Sequence, residues 1–417
     1  MQRAEADVLI VGAGLAGLAC ARHLQKHNVS FRILEASDAV GGRVRTDHVD
    51  GFLLDRGFQV LLTAYPEANA VLDFGKLHVH NFLPGALIHT GTQVHRVADP
   101  FREPLAALES ILAPIGSMDD RLRLLALRHT VRRASVDSIF SKPERTTLEA
   151  IQSYKFSPTI IASFLRPFLS GIFLDKELKT SSRMFEFVFK MFTHGNAALP
   201  ANGMGAIATQ LSDSLPGESL FLNTRVRSIE NDTVTTEGGN ALQARAIVVA
   251  TEGPEAARLL PEIPVPASRG ATTVYFAASK DPVGSPILVL NGSSSGLVNH
   301  LCVPSRIAPS YAPSGTSLIS ASIVGNIDLD DEKLLAAVRS QLTSWFGQQA
   351  NSWKHLRTYR IIHALPSQNS PANAGTPVPA RIRDRVYVCG DHLGNASIEG
   401  ALVSGRRAGE AIIREIS

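Results

Sequence analysis

The chain has 417 residues, more than one simple hydrophobic core accommodates, so two domains are expected. Hydrophobic residues make up 44% and charged residues 19%, the balance of an ordinary globular protein. A formal charge of +3 at this length gives no reason to expect a nucleic-acid partner. Cys20, Cys302 and Cys389 are scattered, form neither a disulfide framework nor a metal cluster, and fit a reducing compartment. No charged-then-apolar signal segment precedes the first strand, and no apolar run is long enough to span a membrane. A cytoplasmic protein is therefore expected, in contact with a membrane surface at most; a targeting peptide removed beforehand is compatible with the sequence.

The first forty-odd residues organise the rest. Ala6 to Val11 reads as a strand, Gly12-Ala13-Gly14-Leu15-Ala16-Gly17 as a turn into a helix reaching about His27, and Phe31 to Glu35 as a second strand. Gly12 turns tightly off the strand, Gly14 lets the backbone approach a pyrophosphate, and Gly17 lets the helix lie close to the sheet. The helix N-terminus offers free N–H groups to the phosphates. Glu35, followed by Ala36, comes eighteen residues after Gly17, where a carboxylate can take both hydroxyls of a ribose. A dinucleotide cradle is the expectation. Gly41-Gly42-Arg43 follows, suited to a second grip on the pyrophosphate; its bland alternative is a polar turn.

The glycine fingerprint, the terminal glutamate and the Gly-Gly-Arg run together resemble the FAD-binding half of the flavin amine oxidase superfamily. That group includes amine oxidases, protoporphyrinogen oxidases and phytoene-type desaturases. Gly51 to Leu61 is similar to the superfamily's next stretch, and by that resemblance Gly57, Phe58 and Gln59 lie near the isoalloxazine ring. Read from the residues alone, this stretch is a hairpin turning at Asp55 to Gly57. Leu83 to Asp99 reads as a second hairpin, turning at Thr90 to Thr92.

From Glu103 to about Phe192 the pattern is helical. Leu122, Leu124, Leu125 and Leu127 fall among Arg121, Arg123, Arg128, Arg132 and Arg133, an amphipathic basic helix that suits a solvated face or, less often, contact with anionic lipid or substrate. Eight of the 18 phenylalanines lie between Phe156 and Phe192, with Phe185, Phe189 and Phe192 on one helical face and Phe187 off it. A helix apolar most of the way round is buried on several sides or borders an apolar cavity. Arg166 to Phe173 resembles a protoporphyrinogen oxidase segment. Gly203 to Ala208 matches a second G-x-G-x-x-A, but no strand is expected to run into it, so a nicotinamide site is rejected there. The same run resembles the superfamily element that leads back into the FAD domain.

Leu220 to Ile229 reads as one strand, with Thr233 to Thr236 and Ala244 to Ala250 after it. By resemblance Val226 meets the adenine through its backbone and Thr251 lies near the dinucleotide. Thr273 to Ala278, Pro286 to Asn291 and Ser317 to Val324 read as strands, and Asp330 to Phe346 as a helix. At the end, Val386 to Asp391 is a strand closing in Gly390-Asp391, and Ser397 to Gly409 a helix rich in small residues. This matches the superfamily's C-terminal element, which implies that Asp391 holds the ribityl–phosphate region and Ile398 packs on the pyrimidine edge.

The fold implied is α/β: a discontinuous Rossmann-type FAD-binding domain (1–80, 199–262 and 370–417) with an α+β substrate domain (81–198 and 263–369) whose helical part covers about 103–195. The activity implied is that of an FAD-dependent oxidoreductase. No metal set and no Ser/His/Asp constellation is evident. Gln59, Tyr359 and His363 are the side chains to examine beside the flavin. The tryptophan–tyrosine cage of the amine oxidases is absent, since the equivalent run reads Gly394 to Ser397. The phenylalanine-rich stretch favours a lipophilic substrate: a carotenoid, tetrapyrrole, quinone or isoprenoid. A flavin amine oxidase, and a non-redox FAD-dependent isomerase or regulatory protein, remain as alternatives.

Overall fold

The structure, a computed structural model, describes residues 6–416 except 92, 100–101, 104–112, 294 and 373–378. Its first sheet is built from distant parts of the chain. Across the sheet run Leu220–Phe221, Phe31–Leu34, Val8–Val11, Ala246–Val249, Val386–Val388 and Arg381–Arg383. The first five are parallel, and only the Arg381–Arg383 edge is antiparallel. Val8–Val11 and Ala246–Val249 are buried throughout, as expected of parallel strands covered on both faces. Leu220 to Ile229 is not one strand: Leu220–Phe221 joins this sheet, while Val226–Glu230 starts a separate three-stranded one, so the chain changes sheets between them.

The first helix, Leu15–Lys26, packs against the last, Ile398–Ile416. A Cβ on Gly405 would stand 2.0 Å from the Ala16 carbonyl oxygen, and one on Gly409 would stand 3.0 Å from the His23 ring. The small residues of the last helix thus serve this helix–helix contact.

A second, seven-stranded sheet runs Lys354–Pro366, Ser268–Ala278, Ser317–Val324, His300–Cys302, Leu288–Asn291, Gly85–His89 and Val94–Ala98. The helix Asp331–Phe346, capped by Asp330, covers one face, where Val274, Phe276, Ile319 and Ala321 meet Leu334, Val338 and Leu342. The Gly85 to Ala98 hairpin is present; Thr92, at its expected turn, lies outside the described residues.

The helical region holds Met118–Arg133, Val136–Phe140, Thr147–Ser153, Arg166–Phe173 and Ser182–His194, with a π-helical turn at Ile161–Leu165. The expected helical residues 104–112 lie outside the described part. Ser117 with Asp120, and Thr146 with Glu149, close capping boxes at two of these helices. No described helix is long and apolar enough to cross a membrane.

One expectation is overturned at Gly203. A strand, Ala197–Pro200, does run into this glycine turn, which opens the helix Ala206–Ser212. Its partners are Leu61–Leu62 and Val79–Asn81 in a small antiparallel sheet, not the parallel one. The turn is also filled: a Cβ on Gly203 would stand 2.4 Å from Thr46 Oγ1, and the Met204 and Gly205 amides donate to Asp55 Oδ1 and Thr46 Oγ1. The amides that a phosphate would need are already used.

Candidate active site

A cavity of about 870 Å³ lies where the carboxyl ends of the parallel strands meet the seven-stranded sheet and the helices. One end is the glycine turn. Gly12 has φ +106, and a Cβ on it would stand 2.9 Å from the Ala250 carbonyl oxygen. A Cβ on Gly17 would come within 2.1 Å of the Gly12 oxygen, so this glycine lets the helix seat on the turn. Gly14 has nothing within 4 Å of where its Cβ would be and lines the cavity. Gly42, at φ +58, lies over Gly14, and the Gly41 amide donates to the Ala13 carbonyl at 2.9 Å. The two glycine pairs therefore form one backbone surface.

Glu35 is buried at the rim of this surface. Its Oε2 accepts from the Ala13 amide at 2.7 Å, and its Oε1 from the Ser37 amide and hydroxyl at 2.8 and 2.7 Å. The carboxylate thus fixes the turn as well as facing the cavity, which Ala36 also lines. Arg43 spans to the C-terminal element: its Nη1 donates to the Ala364 carbonyl at 3.0 Å and its Nη2 to Asp391 Oδ1 at 2.5 Å. Burial pulls the Arg43 pKa down, but the Asp391 charge and hydrogen bond outweigh it and the guanidinium stays protonated. Two residues separately expected at the dinucleotide therefore hold each other across 348 positions.

Of the cofactor residues expected from the sequence, all line the cavity except Ala13 and Gly17, which act from behind the turn. Val226 and Thr251 line it too, although the Val226 carbonyl already accepts from Arg258 at 2.9 Å. Gly57, Phe58 and Gln59 form a wall held by Phe58 N donating to Thr273 Oγ1 at 3.3 Å and Gln59 Nε2 donating to the Arg43 carbonyl at 2.8 Å. Gly390, Asp391 and Ile398 face the cavity at the start of the last helix. The Thr251 hydroxyl and Gln59 Oε1 are buried with no hydrogen-bond partner among the described residues, as expected of groups that meet a polar ligand. With the open approach at Gly14, they fit a dinucleotide carrying a ring system.

Tyr359 and His363 must be corrected, because neither lines the cavity. Tyr359 donates to Asp47 Oδ2 at 2.7 Å and stands edge-on to Tyr275, and the His363 ring meets Ser268 Oγ at 2.5 Å. From the same strand the cavity takes Ile361, Ala364 and Leu365 instead. Gln59 alone of the three candidates reaches the wall.

Another part of the cavity is largely apolar, although Asp99, Arg102 and Arg128 are also on the lining. Phe164, Phe168, Ile172, Val188, Phe189 and Phe192 line it, with Phe164 stacked on Phe168 at 5.7 Å and Phe168 against Phe192 at 5.4 Å. Phe185 and Phe187 are fully buried and face other core residues; Phe187 stacks on Tyr65 at 6.0 Å. The phenylalanine helix is thus both core and cavity wall. Leu124, Leu125 and Arg128 of the basic helix also line the chamber, so that helix is more than a solvated face, although Met118 and Leu122 are exposed.

The sequence reading missed Arg102 and His300, and named Arg128 only as one of the basic helix's charges. Arg128 ion-pairs with Asp99, and Arg102 Nη1 donates to Asn196 Oδ1 at 2.9 Å. His300 is 4% exposed, beside Phe58, and burial pushes its pKa down to about 4, so it is neutral at physiological pH. It sits in the short, wholly buried strand His300–Cys302, where no motif marks it.

A profile of flavin containing amine oxidoreductases matches residues 15–413. The chain is 22% identical over 448 residues to coproporphyrinogen III oxidase of Mycobacterium tuberculosis, covering 98% of this chain and 97% of that protein. Its fold is similar to an oxidoreductase from Methanosarcina mazei, with a TM-score of 0.76, 15% identity, and 97% and 99% of the two chains covered. It is also similar to putrescine oxidase bound to putrescine, with a TM-score of 0.71, 16% identity, and 98% and 99% covered. FAD is the cofactor of this family and a dinucleotide of the kind the cradle fits, and the chain belongs to the family of flavin containing amine oxidoreductases as an FAD-dependent oxidoreductase.

Proposed function

We propose that this oxidoreductase oxidises a large lipophilic substrate, of carotenoid, tetrapyrrole, quinone or isoprenoid type. The observation that carries the reading is the continuity of the cavity from the glycine cradle into a chamber walled by Phe164, Phe168, Phe189 and Phe192. FAD, when bound, accepts hydride at N5, and the protein's part is to orient the substrate, exclude water and tune the ring. The apolar chamber does the first two. Neutral His300 adds no charge to the wall. The relatives named for coproporphyrinogen favour the tetrapyrrole member of the set. Electrons would pass from the flavin to oxygen or a quinone.

Binding tests this without turnover. Coproporphyrin III added to the FAD-loaded protein is expected to perturb the visible flavin band, and Phe168→Asp should abolish the response. A flavin band that responds to putrescine but to no carotenoid, porphyrin or quinone would refute the reading and favour an amine oxidase.

A further inference from the structure

Asp55 ends the strand Phe52–Asp55, and the residues after it, Arg56 to Gln59, are cavity wall. Its own side chain does not line the cavity and is 4% exposed. The carboxylate gathers donors from three parts of the chain. Thr46 Oγ1 donates to Oδ1 at 2.5 Å from the paired strand. The Met204 amide donates to Oδ1 at 2.9 Å from the glycine turn that leads back to the parallel sheet. The Tyr311 hydroxyl donates to Oδ2 at 2.8 Å. The Asp55 backbone carbonyl accepts from the Tyr275 hydroxyl at 2.9 Å, a residue of the seven-stranded sheet.

The titratable groups that face it are Tyr275, Tyr311 and Cys302, all held neutral by burial. Among the described residues none of its partners is a cation. A buried carboxylate met only by neutral donors is costly, and an apolar or amide side chain would avoid that cost. Three donors converge on it, so the arrangement is organised around the charge rather than tolerant of it.

We propose that Asp55 is a positioning residue: its buried carboxylate clamps the strand end, the Met204 turn and Tyr311 together, and so holds the Arg56–Gln59 wall against the flavin at the expense of fold stability. The inference rests on FAD occupying the cavity with its ring at this wall. The stability term has a definite sign. Burial raises the Asp55 pKa to about 6, above the value of 3.8 for a free carboxyl. A raised acid favours the protonated fold, so the penalty is complete above the folded pKa and vanishes below the free value.

The test is Asp55→Asn in the full chain, with FAD content, bound-flavin visible spectrum and Tm between pH 5 and 8. At pH 8 the variant is expected to match or exceed the wild-type Tm, yet to show a shifted flavin band and several-fold weaker FAD retention. Relative to the variant, the wild type should gain Tm as pH falls from 8 to 5. A variant that is less stable at pH 8 with an unchanged flavin band would overturn the proposal and leave Asp55 a structural acceptor. If Asp55→Asn does not fold, Tyr311→Phe decides: a Tm loss larger at pH 8 than at pH 5, with a shifted band, supports the clamp, and equal losses overturn it. Wild-type protein that binds no FAD would overturn the underlying assignment of the cavity, an outcome distinct from FAD bound normally by both variants.

Discussion

Two glycines three residues apart should fail in opposite ways. Gly14→Ala and Gly17→Ala each add one methyl. At Gly17 the methyl would lie 2.1 Å from the Gly12 oxygen and 3.3 Å from Ala250 Cβ, and the first of these is main chain that cannot rotate away. Alanine gains about 1 kcal/mol over glycine in a helix, but overpacking of this kind costs typically about 1–3 kcal/mol, and a main-chain clash belongs at the upper end. A net loss of about 2 kcal/mol is expected in the FAD-free protein. FAD affinity should fall as well, because the Gly12 turn is displaced. At Gly14 the methyl meets nothing within 4 Å, and its φ of −70 suits alanine. The FAD-free protein should keep its Tm, while FAD binding weakens about 10- to 100-fold, the effect of about 1–3 kcal/mol of steric conflict with the approaching pyrophosphate. Scanning fluorimetry of FAD-free protein and titration of FAD fluorescence give both quantities. Gly14→Ala binding FAD with wild-type affinity, or destabilising the FAD-free protein as much as Gly17→Ala, would refute the division of roles.

Glu35→Ala should lower both FAD affinity and the stability of the FAD-free protein, since the Ala13 amide loses its buried acceptor at a cost of about 1–3 kcal/mol; dialysis retention of FAD and urea melts check the two effects. Asp120 is opposed by burial but held down to about 2 by hydrogen bonds from Ser157 and Ser117. Its folded pKa lies below the free value of 3.8, so its contribution is present above about pH 4 and is lost as pH falls through about 2, and Asp120→Asn should remove about 2 kcal/mol at pH 7 and only a small fraction of that at pH 2. Phe192→Ala enlarges the apolar chamber without touching the cradle, so FAD affinity should be unchanged while the affinity for a lipophilic ligand falls about tenfold or more; parallel titrations separate the two.

What could be read from the sequence was what is local. Val8 to Glu35 is one β-α-β unit, each residue constrained by its neighbours, and it folds as its spacing says. Asp330 with the helix to Phe346 is equally local. The strand Ala197–Pro200 escaped because its partners lie far away in sequence, at residues 61–62 and 79–81. His363 falls in an irregular stretch of its strand, whereas Tyr359, paired regularly with Thr273, lies outside that stretch and is turned to Asp47 and Tyr275. Arg269 pairs with Leu365 and Ala271 with Ile361, so two positions on one strand oppose four on the other. Alternation alone gives no sign of that bulge. Asp55 reads as a turn residue in the sequence; its role depends on Met204 and Tyr311, brought to it only by the tertiary fold.

The claim that one cavity pairs FAD with a lipophilic substrate is tested most directly by anaerobic mixing of the FAD-loaded protein with coproporphyrinogen III, a carotenoid, a quinol and putrescine, followed at the visible flavin band. Bleaching by at least one of the lipophilic compounds, at a rate that saturates with concentration and falls in Phe192→Ala, is the expected result. Bleaching by putrescine alone would contradict the account.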